Sequence, residues 1–289
     1  MSDPLTYVYA ITPAPGPDLP GVSGVDGATV RLVSSGALAA VVSTVAEESF
    51  DETALRTRLE QMDTLESLAR AHHTVIDAAG AREVVLPLRL ATVYRGDQRV
   101  LDLLDRGHDR FRDALERLTD RREWGVKVYT DPSTALAAER PAGPSDPGPG
   151  AERSAAPSSS RPVGERPVRT STAGAAGGSS PGKDYLRRRR QEQRSAEEVR
   201  RATAEFAGRV DAELCTLAAD VRHYRAQNPQ LSGAQGENVL NAAYLIPEDR
   251  TEAFTAAVRA LNGSVPGTRV ELTGPWAPYS FTLPDPEPA

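Results

Sequence analysis

Between Pro132 and Gly182 the chain reads PSTALAAERPAGPSDPGPGAERSAAPSSSRPVGERPVRTSTAGAAGGSSPG. This stretch holds no aromatic residue and almost no large aliphatic one. A run of about fifty residues with so little apolar surface cannot offset its ordering entropy by burial. The expectation is a disordered linker over residues 132–182, extended where prolines crowd. It divides the rest into an N-terminal domain over residues 1–131 and a C-terminal domain over residues 183–289. A length of 289 residues suits about two domains.

In the N-terminal part, "LTYVYAI" (Leu5 to Ile11) is rich in β-branched and aromatic residues and reads as a strand. "TVRLVSSGALAAVVSTV" reads as two strands turning at Ser34-Ser35-Gly36. Asp51 is placed to cap a helix running to about Ala79, with Leu55, Leu59, Met62, Leu65, Leu68, Val75 and Ile76 on its apolar face. "EVVLPLRLATVY" reads as an apolar strand with Pro87 inside it. Asp97 is expected to cap a second helix whose stripe runs from Val100 to Leu118, and Gly107 falls on that stripe, where it allows close packing. "EWGVKVYT" closes this part as a strand.

Helical spacing resumes near Lys183 and persists through Val199, Phe206, Val210, Leu214, Val221 and Tyr224 to about Gln227, where Asn228-Pro229 stops it. "ENVLNAAYLIP" reads as a strand. Asp249 with Glu252 resembles a capping box opening a helix that buries Phe254, Val258 and Leu261. Both parts therefore repeat long helix, strand, shorter helix, strand. That order predicts an α+β fold in two domains, each a mostly antiparallel sheet covered by helices, for which the ferredoxin-like topology is a common solution. The C-terminal "ELTGPWAPYSF" joins rings to two prolines. A core strand rejects the prolines and a surface loop rejects the rings, so the segment is either a kinked edge strand or a patch made to meet something else.

The formal net charge is −6, which argues against a nucleic-acid binder. Hydrophobic content is 39% with glycine left out, whereas the usual figure of about 45–50% counts glycine. The single cysteine, Cys215, excludes an internal disulfide and sites built on several thiolates, and reads as an inert packed thiol. No run of about 18 apolar residues suggests a membrane span, and no secretory signal is visible, so a cytoplasmic protein is expected. His72 and His73 are helix neighbours about 100° apart and read as a helix-surface and helix-edge pair that shares no metal. His108 and His223 read as solvated, the latter near the end of the long helix. "GVSGVDG" lacks the strand and helix that a dinucleotide loop requires. No catalytic, cofactor or metal residue is assigned. Arg187 to Arg190, at the start of the long helix, reads first as a solvated face and second as a contact for an acidic partner. Arg89 stands amid apolar neighbours and is expected to reach solvent or a carboxylate. The regular seam of the long helix offers a route to self-association.

"YVYAI", "GALAAVVSTV", "VVLPLRLATVY", "EWGVKVY", "NAAYLIPEDRTEAF" and "LTGPWAPYSF" occur in an order that resembles the gas vesicle GvpL/GvpF family. The GPW-x-PYSF ending and the LPLRL strand carry most of the specificity. Where the family usually has Gly-Thr after that strand, this chain has Ala91-Thr92, and Ala10 replaces a glycine of the first strand. The resemblance implies two α+β domains, the second ferredoxin-like. It also implies a minor structural component or assembly factor of gas vesicles, hollow protein shells that give buoyancy, which binds the small hydrophobic main shell protein and catalyses nothing. Arg89, Trp276, Tyr279 and Phe281 are the residues expected at such a contact. The competing account of the rings is packing between the two halves, and the competing function is a cytosolic enzyme whose site assembles between them.

Overall fold

The structure, a computed structural model, describes residues 4–131, 181–226 and 236–282. Apart from Pro181 and Gly182, which open a helix, the expected linker lies outside the described residues, as does Asn228-Pro229. A first sheet contains β1 (Leu5–Pro13), β2 (Val30–Ser35), β3 (Leu38–Val45), β4 (Leu86–Pro87) and β5 (Val93–Arg95). Its order is β2-β3-β1-β4, with β5 also on β1, and every pairing is antiparallel. Strand β1 is buried from Leu5 to Thr12, which its unbroken apolar run requires of a strand covered on both faces. The β2–β3 turn falls one residue later than expected, at Gly36-Ala37, where Gly36 has φ 57. The stretch read as one strand around Pro87 is instead two short ones. Between them the chain turns at Arg89–Thr92, closed by a bond from the Thr92 hydroxyl to the Arg89 carbonyl (2.7 Å).

After a short helix α1 (Glu47–Phe50), α2 (Glu52–Glu60) and α3 (Met62–Gly80) replace the single helix expected from Asp51. Asp51 does cap α2, its carboxylate accepting from the Ala54 amide at 2.7 Å. The chain leaves helical geometry at Gln61 (ψ 114), so α2 and α3 both reach one apolar cluster, whereas Met62, expected on the apolar face, starts the new helix 75% exposed. Helices α4 (Gly96–Arg106) and α5 (His108–Leu118) likewise split at Gly107. Asp97 does not cap α4. Its carboxylate takes two bonds from Arg31 and one from Thr6, all at 2.8 Å, and these hold its pKa below the ordinary value against the opposing effect of burial.

The strand read as closing the N-terminal part belongs elsewhere. Strand β6 (Arg121–Thr130) lies inside a second antiparallel sheet, ordered β7-β8-β6-β9, with β7 (Asp220–His223), β8 (Glu237–Pro247) and β9 (Thr268–Trp276). Helix α6 (Pro181–Cys215) follows β6 in the chain, and α7 (Thr251–Leu261) lies between β8 and β9. The connectivity is thus βαββαβ, and residues 132–180 join its first strand to its first helix. The segment read as joining two domains therefore falls inside the second unit. Local sequence could not show this, because an amphipathic strand fits either sheet until its pairing is known.

The long helix ends at Cys215, earlier than its periodicity suggests. Val221 lies on β7, and His223 is a strand residue, because pairing with β8 captures Asp220–His223. Asp249 forms no capping box. A 3-10 turn at Glu248–Arg250 precedes α7, and no side chain caps it. Phe206, Val210 and Leu214 of α6, with Phe254 and Val258 of α7, bury Trp124, Val126 and Val128 of β6. The alternate residues Ala243 and Leu245 of β8 join the cluster of β1, α4 and α5. The second sheet therefore lies between α6 and α7 on one face and the first unit on the other.

The expectation for Gly107 is met with little tolerance, since a Cβ there would stand 2.3 Å from the Phe111 ring. Phe111 is itself buried, so Gly107→Ala is expected to cost about 1–3 kcal/mol through overpacking. Urea unfolding would show this as a lower midpoint with an unchanged slope.

Candidate functional site

Strand β9 is an edge of the second sheet. Near its end, Gly274 has φ 119, and a Cβ there would lie 2.9 Å from the Glu123 carbonyl oxygen, so glycine is required. The Gly274–Pro275 bond is cis, and the chain then turns across the first unit. Ala277 and Tyr279 enter the cluster under α3, whereas Phe281, fully buried, enters the cluster of β1, α4 and α5. Of the two readings the sequence leaves open, the structure takes the kinked edge strand, and its rings do different work on each side of the kink.

A buried carboxylate holds this segment in place. Glu123 of β6 is 9% exposed and accepts from the Ser280 amide (2.8 Å) and hydroxyl (2.6 Å). Burial raises its pKa, and the two Ser280 bonds offset part of that rise. Arg117 of α5 adds a bond to the Phe281 carbonyl at 3.0 Å.

A ladder of rings runs from the segment into the core. Trp276 lies 5.4 Å from His73, His73 stacks on Tyr279 at 6.0 Å, Tyr279 is 6.4 Å from His72, and His72 is 5.6 Å from Tyr7. His72 is not a surface residue, being 3% exposed. The Tyr7 hydroxyl lies 2.9 Å from its Nδ1 and also accepts the Ala91 amide at 3.0 Å. Tyr7 therefore donates to Nδ1, and Nε2–H donates to the Leu88 carbonyl at 3.2 Å. Burial lowers the His72 pKa to about 4, which matches a neutral ring bonded at both nitrogens. His73 points away, to Asp77 at 3.1 Å. Burial also raises the pKa of the Tyr279 hydroxyl, which has no hydrogen-bond partner among the described residues.

Beside the ladder lies an open groove of 930 Å³ between the two units, walled by Pro87, Leu88, Arg89 and Leu90 on one side and Arg222 and Tyr224 on the other. Tyr279, Ser280 and both histidines of α3 also line it. Of the four residues expected at a contact, Arg89 is exposed on the groove wall, Tyr279 lines the groove, and Trp276 stands beside it, 42% exposed and tilted against His73. Phe281 is not at the surface. Glu123 and Ser280 carry no reading from the sequence, His72 reads there as helix surface or edge, and Tyr224, expected on the long helix, instead follows β7. Helical spacing could have found His72, which falls four residues after Leu68 and four before Ile76 on the buried stripe of α3.

The other ionisable groups lie elsewhere. His223 bonds Asp211 at 2.9 Å, and Asp211 also accepts from Tyr244 at 2.7 Å. Cys215, half-buried, directs its thiol to the same carboxylate at 3.7 Å, and burial with Asp211 raises its pKa, the condition of an unreactive thiol. His108 bonds Asp109 at the surface. Among the described residues, no group of three or more His, Cys, Asp or Glu is placed to hold a metal ion.

A family model described as "Gas vesicle synthesis protein GvpL/GvpF" matches residues 5–282, which takes in both sheets and the whole C-terminal segment. The chain belongs to the GvpL/GvpF family. It is 43% identical to "Gas vesicle protein L" of Streptomyces sp. (strain CB03234) over 97% of this chain and 93% of that protein. Identity to "Gas vesicle protein F" of the same strain is 29%, over 96% and 98% respectively. Among solved structures, the GvpF gas vesicle protein from Anabaena sp. PCC7120 shares the fold with a TM-score of 0.61 at 20% identity, covering 98% of this chain and 97% of that one. The resemblance carried by the quoted motifs is thus confirmed as membership of the GvpL/GvpF family. Ala91, which follows the LPLRL strand, has a left-handed φ of 66. Alanine at this position is strained where glycine would not be.

Two outcomes follow from the geometry. Ala91→Gly should raise stability by about 1 kcal/mol, read as a higher urea midpoint. The unfolded chain protonates its histidine near 6.5 and the folded chain only near 4, so His72 contributes stability that is present above pH 6.5 and lost as pH falls toward 4. Its share of that loss between pH 7 and pH 5 is about 2 kcal/mol. Glu123, with its pKa raised, shifts stability the opposite way. Comparing His72→Gln with the unsubstituted chain at both pH values isolates the histidine, and equal pH dependence in the two would refute its neutral burial.

Proposed function

We propose that this chain serves gas vesicle formation as a non-enzymatic assembly factor or minor structural component, binding the main shell protein through the groove between its two units. Family membership supports the gas vesicle role. Greater identity to an L protein than to an F protein of one strain supports an L-type role. The βαββαβ connectivity, with sheet order β7-β8-β6-β9, supports a ferredoxin-like reading of the second unit. The action is placed in the cytoplasm, at the growing vesicle.

One observation carries the binding site: Trp276 and Tyr224 are exposed at 42% and 49% beside a groove whose wall includes Pro87, Leu88 and Leu90. Large rings left in water beside an apolar concavity are the usual anchors of protein contacts, and a shell protein facing gas is apolar before assembly. Arg89 and Arg222 at the groove give such a contact orientation.

One feature favours the enzymatic alternative, since His72, Glu123 and Tyr279, with shifted pKa values, converge near this groove. Both nitrogens of His72 and both oxygens of Glu123 are already bonded within the chain. Their shifts accompany packing of the C-terminal segment, which supports the binding reading.

Pull-down of the main shell protein tests the proposal. Trp276→Ala should leave the melting transition nearly unchanged and weaken capture at least about tenfold. Phe281→Ala should lower the transition by about 3–5 kcal/mol of stability. Undiminished capture by the Trp276 variant would overturn the site.

A further inference from the structure

Helix α6 is not uniformly covered. Its buried residues begin at Val199 and continue through Thr203, Phe206, Val210 and Leu214 against the second sheet. That seam, expected to pair with another helix, is occupied by the chain's own sheet. From Tyr185 to Glu198, by contrast, every residue whose side chain is described is exposed. This arm is 14 residues long and extends about 21 Å. An uncovered helix of this length is marginal in water, and its basic start opposes the helix dipole.

Charge and apolar exposure place a complement on the first unit. Residues 185–194 carry five arginines against one glutamate. Residues 47–66, which span α1, α2 and the start of α3, carry seven acidic residues against two arginines. Glu48, Glu60 and Asp63 are exposed there and form no ion pair among the described residues. Between the last two stands Met62, 75% exposed. Five large apolar residues are exposed among the described ones. Tyr224 and Trp276 flank the groove, and the other three are Met62 on this acidic surface and Tyr185 and Leu186 on the arm.

We infer that the arm of one copy docks on the α2–α3 surface of a second copy, with Tyr185 and Leu186 against Met62 and the arginines over the acidic residues. The contact is between molecules, because α6 covers the face of the second sheet turned away from the first unit. The two surfaces differ, so the contact is head-to-tail and extends from copy to copy unless its rotation closes a ring. It uses neither Trp276 nor the groove, so it goes beyond the shell-protein reading and stands or falls separately.

Sedimentation of the full-length chain tests it. The sedimentation coefficient should rise with concentration at low salt and return to the monomer value at about 1 M salt, where screening is nearly complete. Arg187→Glu with Arg189→Glu and Arg190→Glu should abolish the rise, as should Glu60→Arg with Asp63→Arg, with circular dichroism melts confirming that both variants fold. Mixing the two reversed variants should restore association, since each then offers one matched pair of surfaces. A chain that stays monomeric at low salt would overturn the proposal. So would failure of the mixture to associate, or association that survives the arm reversal. Salt-sensitive retention on double-stranded DNA without self-association would assign the arm to nucleic acid instead.

Discussion

The Glu123 carboxylate, buried on the strand that sits inside the second sheet, is the constraint to which the joint between the two units is tied. An ionised carboxylate away from water is costly unless its oxygens are bonded, and both of its oxygens are satisfied by Ser280. Each such bond to a charged group contributes about 1.5–3 kcal/mol. The same residue stretch seats Tyr279 on one side of the first sheet and Phe281 on the other. Withdrawing the segment would leave a buried charge without partners and open two cores at once. The joint is therefore built as all or nothing, which suits a groove whose walls come from both units.

This arrangement divides the aromatic C-terminal segment by depth. Phe281 is core, Tyr279 is half in the core and half on the groove, and Trp276 lies outside, resting on His73. Packing between the halves and contact with a partner are therefore not exclusive accounts of these rings, because successive residues meet different surroundings as the chain crosses the joint. His72 is the pivot of the inner part. Tyr7 and the Leu88 carbonyl hold its two nitrogens, so one neutral imidazole ties α3 to the first strand and to the groove wall.

Much of the local structure was legible in the sequence. Strand β8 begins and ends where its apolar run does, Asp51 caps its helix, and Gly107 admits a close ring. Each of these depends on neighbours within a few residues. The errors lie where distant contacts prevail. Helical spacing ran on past Cys215 because a strand of four residues carries little periodic signal, and pairing with β8 claimed it. Asp97 looked like a cap until Arg31, sixty-six positions away in the chain, took its carboxylate. Histidine on an apolar stripe was read as edge because its partner Tyr7 is 65 positions distant.

The sequence by itself determined an α+β protein of this family, the apolar faces of most elements, and a break in the chain at Gly274-Pro275. These follow from side-chain periodicity, glycine and proline stereochemistry and motifs, all of which act at short range. Only the tertiary structure decided that β6 joins the second sheet, that the glycine- and proline-rich segment lies between that strand and α6, and that Glu123, Ser280 and His72 meet at one joint. Strand pairing and burial of a charge are settled by which surfaces remain to be covered once the whole chain has collapsed, and no local window contains that information.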